Sequence, residues 1–114
     1  MTEYRTPGKT TLTPEVLLTI ARMAALEVEG VSRMSPVKGG VKGLLKGSSE
    51  GIQLEIEENV VLADLHLVLE DGVNMRETSR MVQQRVARAI SEMTGMEVGR
   101  VNIHIEDINY QPEA

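Results

Sequence analysis

Two histidines and the carboxylates around them are the side chains of this 114-residue chain with the most chemistry to offer. His66 and His104 fall on the polar phase of two strand-like stretches, and Glu55, Asp64 and Glu106 share that phase. Paired imidazoles with carboxylates can ligate zinc or iron. The close ligand spacing of an HExxH helix is missing, and histidines exposed on strands are ordinarily solvated, so no metal is expected. With no cysteine, disulfides, cysteine-zinc sites and thiol nucleophiles are excluded. Ser48-Ser49 and the scattered threonines form no nucleophile elbow or triad pattern. Gly8-Lys9-Thr10 has the look of the end of a phosphate loop, but Glu3 stands where its first glycine belongs. Neither a catalytic residue nor a cofactor is expected.

Basic residues offer a different chemistry. Lys38, Lys42 and Lys46 recur every four residues, with Val41, Leu44 and Leu45 between them, in a glycine-rich stretch that includes Gly40-Val41-Lys42-Gly43. A GxxG loop clamps a nucleic-acid backbone only when it joins two helices, and here strand-like sequence follows. Arg76, Arg80, Arg85 and Arg88 add positive charge to the second predicted helix. An RNA- or nucleotide-binding module using loop 36–47 and this arginine face is the alternative reading. A net charge of −5, a pI near 5.0 and two aromatic residues argue against it, because phosphate neutralisation needs surplus Lys and Arg. No nucleic-acid partner is expected.

Stepping along the chain, Thr13-Pro14-Glu15 reads as an N-cap, a tolerated N1 proline and an acidic first turn. Leu17, Ile20, Ala21, Ala24 and Val28 follow at helical spacing, with Gly30 as the expected stop. Short strands are possible at 10–13 and 31–34, and residues 36–51 read as a long loop. Ile52, Leu54 and Ile56 then alternate on even numbers, and Val61, Ala63, Leu65, Leu67 and Leu69 on odd ones. A two-residue turn at Glu58-Asn59 reconciles the parities by pairing Ile56 with Val61, Leu54 with Ala63 and Ile52 with Leu65. Asn74 with Glu77 reads as a capping pair opening a second helix, with Gly95 as its stop. The expected buried stripe there is Met75, Val82, Val86, Ala89, Ile90 and Met93. Val101, Ile103 and Ile105 point inward from a last strand, and the slip to Ile108 and Tyr110 predicts a bulge near Glu106-Asp107.

The order strand, helix, hairpin, helix, strand predicts one α+β domain over residues 1–114. It is a two-layer, mostly antiparallel sheet with both helices on one face, in split βαβ-like order, and residues 1–8 are expected to be flexible. An apolar content of 41% is enough for a globular core, and with no Phe or Trp the seven methionines are expected to help fill it. No signal peptide or membrane span is expected. Val60, Leu62 and Val68 lie on the polar phase of the middle strand, and Leu18, Ala25 and Leu26 lie beyond the first helix's stripe. This apolar surplus marks Val60, Leu62 and Val68 as a candidate interface. The competing reading has Ile108 and Tyr110 folding over that face.

In order and spacing, Gly8 to Thr13, Ile20-Ala21, Glu27-Val28-Glu29-Gly30-Val31 and Gly51-Ile52 resemble the alkaline shock protein family. So do Asp71-Gly72-Val73, Val82-Gln83-Gln84-Arg85-Val86, Met93-Thr94-Gly95-Met96 and Val101-Asn102-Ile103-His104-Ile105. This is the Gls-type envelope stress response family of bacteria, and the resemblance covers about residues 8–110. It implies a non-catalytic protein of envelope stress response or homeostasis, and it agrees with the self-associating interaction module that the apolar surplus suggests. It further implies a cytoplasmic protein, held at the inner face of the membrane through a partner. That partner would be a membrane-anchor protein or a dihydroxyacetone-kinase-like lipid kinase.

Overall fold

The computed structural model describes residues 13–36, 47–49 and 51–110. The lysines Lys38, Lys42 and Lys46, residues 1–8, for which flexibility is expected, and all but the last residue of the strand expected at 10–13 lie outside the described residues.

Helix α1 (Pro14–Leu26) starts as its sequence demands: the Thr13 side chain accepts from the Val16 N–H, and Pro14 takes the first turn. It ends earlier than expected, at the right-handed C-cap Glu27, and Gly30 serves the following turn with φ +105°. Leu18 and Ala25 are buried along with Leu17, Ala21 and Ala24, because α1 packs on the sheet and on the second helix together. Of the surplus expected on this helix, only Leu26 is exposed.

The sheet has five strands: β1 (Val31–Met34), β2 (Gly47–Ser49), β3 (Ile52–Glu57), β4 (Val60–Glu70) and β5 (Glu97–Asn109). β3 and β4 pair with Ile56 opposite Val61, Leu54 opposite Ala63 and Ile52 opposite Leu65, the predicted register. Positive φ at both Glu58 (51°) and Asn59 (78°) gives the turn the twist that suits a two-residue hairpin. β4 is central. β3 pairs with its first half and β1 with its second half on the same side, both antiparallel. β5 lies along the other side, parallel to β4 and reached through helix α2 (Met75–Thr94). β2, unforeseen in the sequence, adds antiparallel to β3.

His66 marks the point where β3 gives way to β1. Its N–H donates to the Gly51 carbonyl and its C=O accepts from the Ser35 N–H, both at 2.8 Å. Gly51 has φ +80°, and a Cβ there would stand 2.7 Å from the Ser35 carbonyl oxygen. Only glycine fits this crossing of three strands.

α2 is capped by Asn74, whose Oδ1 accepts from the Glu77 N–H at 2.9 Å, and ends at left-handed Gly95. The core between helices and sheet is aliphatic: Leu17, Ala21, Ile52, Leu65, Leu67, Leu69, Val82, Val86 and Ile90 are fully buried. The methionines fill it only in part. Met34 is buried and Met96 packs partly buried against the core, whereas Met23, Met75, Met81 and Met93 are exposed. Met75 and Met93 keep the phase of the stripe but fall at the two ends of α2.

Candidate functional site: the open face of the sheet

The odd-numbered side chains of β4 face the helices, and the even-numbered ones face away. This second face divides along the strand into an apolar, a polar and a covered part.

At the hairpin end, Val60 and Leu62 are half-buried and line a shallow depression with Glu57 and Glu58. Part of their cover comes from β5. The register slips there, so that Val61 pairs with Val98 and Leu62 with Arg100. The extra residue is Gly99, and a Cβ on it would lie 2.8 Å from Val60 Cγ1 and 3.0 Å from Leu62 Cδ2. The two side chains rest on bare glycine backbone.

In the middle, the parallel pairing sets His66 beside His104 and Asp64 beside Asn102. The imidazoles stack, with ring centroids 4.5 Å apart and planes 12° apart. Each histidine reaches to the opposite strand: His66 Nδ1 lies 2.7 Å from Glu106 Oε2, and His104 Nε2 lies 3.1 Å from Asp64 Oδ1. Asn102 Nδ2 donates to the same Asp64 oxygen at 3.0 Å. Burial alone would push the Asp64 carboxyl up. Hydrogen bonds from His104 and Asn102, and positive charge on both histidines, outweigh it and hold the pKa below its ordinary value. Glu106 is the extra residue of a second bulge, where Leu67 pairs with Ile105 and Val68 with Asp107, as the parity slip predicts.

The ring nitrogens nearest the carboxylates are engaged, His66 Nδ1 with Glu106 and His104 Nε2 with Asp64. Among the described residues, no three His, Asp or Glu side chains converge as ligands. Glu55 lies opposite Leu62, away from the histidines.

At the far end, Val68 is 1% exposed and presents no surface to a partner, which corrects its place in the candidate interface. It sits between its register neighbours Arg33 and Asp107, in a depression shared with Ser35, Pro36, His66 and Glu106. Tyr110 does not cover the open face, being 68% exposed, and Ile108 packs against the core on the helix side. The candidate interface is therefore Val60 and Leu62. On α2, Arg85 lies 3.5 Å from Glu27 and Arg88 lies 3.1 Å from Glu92, so half of the arginine face is matched by carboxylates of this chain.

Fold and site define a small α+β domain with one sheet face packed under helices and the other open, part apolar and part polar. The chain belongs to the alkaline shock protein 23 family, described as having a cell envelope-related function, and the match runs over residues 2–110. It is 29% identical over 110 residues to the uncharacterized protein YqhY of Bacillus subtilis, covering 94% of this chain and 82% of that one. It is 32% identical over 108 residues to the uncharacterized protein Spy1535 of Streptococcus pyogenes, with the same two coverages of 94% and 82%. The uncharacterized protein YloU of Bacillus subtilis is 26% identical over 112 residues, 93% of each chain. No solved structure matches. Among the described residues, no helix is long and apolar enough to cross a membrane.

Proposed function

We propose that the protein is a non-catalytic interaction module with a cell envelope-related role, and that it self-associates through the open face of its sheet. The observation that carries this reading is the pair Val60 and Leu62, two branched apolar side chains left half-covered on the face that bears no helix among the described residues. Fully burying an exposed side chain of this kind contributes about 1.5–3 kcal/mol, so completing the burial of a half-covered one contributes roughly half of that, which makes the patch an attractive place for a second apolar surface. The family's envelope-related function supports the setting. In this setting the protein acts at the inner face of the membrane, carried there by an anchoring or enzymatic partner. Light scattering of the pure protein tests the core of the proposal. The average mass exceeds that of the monomer at high micromolar concentration, and Leu62→Glu lowers it without unfolding the chain. A strict monomer, or a mass indifferent to Leu62→Glu, overturns it.

A further inference from the structure

Among the described residues β5 pairs only with β4, which leaves one side of a 13-residue strand without a strand partner. Such an edge templates pairing with another chain unless it is blunted. β5 contains neither proline nor lysine. Its two bulges, at Gly99 and Glu106, bracket an unbroken run from Arg100 to Ile105.

The direction of the backbone groups follows from Gln83. This exposed residue of α2 donates its Nε2 to the Val101 carbonyl at 3.0 Å. A carbonyl reached from outside by a helix side chain points away from β4. By alternation, the amide groups of Val101, Ile103 and Ile105 face the free edge.

We propose that this edge pairs antiparallel with β5 of a second copy, about a two-fold axis at Ile103 that sets Arg100 of each chain opposite Glu106 of the other. The proposal rests on the self-association argued above but adds a different surface. An isologous antiparallel contact must pair residues of the same face, so the axis passes through a residue. An axis at Asn102 would set Glu97 against Asp107, two like charges. One at His104 would set that histidine against its own copy and Asn102 against Glu106. Only the axis at Ile103 places opposite charges across the seam at both ends. It also puts Val101 opposite Ile105 on the helix side, where the two cores become continuous. Glu106 keeps its bond to His66, and its charge acts across the seam. Gln83 holds one edge carbonyl and acts as a latch on pairing.

Sedimentation velocity in a Leu62→Glu background separates this edge from the apolar face. That variant still forms a dimer at high micromolar concentration. Adding Arg100→Glu turns two attractions into two repulsions and weakens the dimer about tenfold. Adding Glu106→Arg as well restores it, with circular dichroism confirming the fold of each protein. Gln83→Ala, which frees the Val101 carbonyl, tightens the dimer. A Leu62→Glu protein that stays monomeric, a dimer indifferent to Arg100→Glu, a double charge swap that folds but does not recover, or a weaker dimer in Gln83→Ala overturns the edge proposal. These outcomes leave the apolar-face reading standing, and that reading fails separately if Leu62→Glu alone does not lower the mass of the wild-type assembly.

Discussion

His66 and His104, neighbours across a parallel strand pair, stack their rings at 4.5 Å while each holds a carboxylate of the other's strand. The four side chains tie β4 to β5 across the polar half of the open face. Their charge chemistry is measurable.

Asp64 has a folded-state pKa below its unfolded value. A depressed carboxyl contributes stability that is present above the unfolded pKa, near 3.9, and lost as pH falls through the folded one. With the side chain 38% exposed, solvent screening keeps that contribution under about 1 kcal/mol. Urea denaturation of wild type and Asp64→Asn therefore shows a small gap at neutral pH that shrinks below about pH 4. A gap that widens in acid contradicts the assignment.

Gly51 and Gly72 share a positive φ, 80° and 88°, but not their surroundings. Alanine at Gly72 meets nothing within 4 Å and costs only the backbone strain, about 1–2 kcal/mol. Alanine at Gly51 adds a collision with the Ser35 carbonyl at 2.7 Å, where β1, β3 and β4 meet. Thermal melts should place Gly51→Ala clearly below Gly72→Ala, and equal midpoints would refute the crossing-point account.

Gly99→Ala tests the support under the apolar patch. The new methyl must displace Val60 and Leu62, and overpacking of this kind costs about 1–3 kcal/mol. Leu62 meets it with the far end of a flexible side chain, but the closer contact, 2.8 Å to Val60 Cγ1, is with a β-branched side chain stiff at χ1, so a cost within that range is expected. A variant as stable as wild type would mean that the two side chains do not rest on the glycine.

Val68 and Leu62 lie on the same strand and the same face, yet their glutamate variants should part company. Val68→Glu buries a charge at a site 1% exposed and should lose cooperative unfolding or several kcal/mol of stability. Leu62→Glu, at a half-open site, stays folded. Comparable stability losses in the two would remove the distinction between covered and available surface.

What the residues disclosed in advance follows the physics of local patterning. Parity alone set the β3–β4 register and the bulge at Glu106, and side-chain chemistry set the caps at Thr13, Asn74 and Gly95. Properties that depend on where an element sits were not legible. Leu18 and Ala25 looked surplus because one helical stripe was assumed, while α1 buries two sides. Met75 and Met93 keep the right phase but lie at the helix ends. The three residues of β2 carry no apolar alternation, and pairing with β3 alone defines them. For the site, the shared polar phase of Asp64, His66, His104 and Glu106 was visible, whereas the stacking required the parallel register of β5. Asn102 and Gly99 were missed. Asn102 shares the even-numbered phase of His104 and Glu106, a signal that could have found it.

The central claim is that the open sheet face, rather than the helix face, joins copies of this chain. Sedimentation equilibrium of wild type, Leu62→Glu and Met93→Glu at high micromolar concentration tests it most directly. Met93, 69% exposed on α2, takes the same new charge on the opposite layer. The account predicts that Leu62→Glu lowers the average mass while Met93→Glu matches wild type. Equal masses for all three proteins, or a loss confined to Met93→Glu, would contradict it.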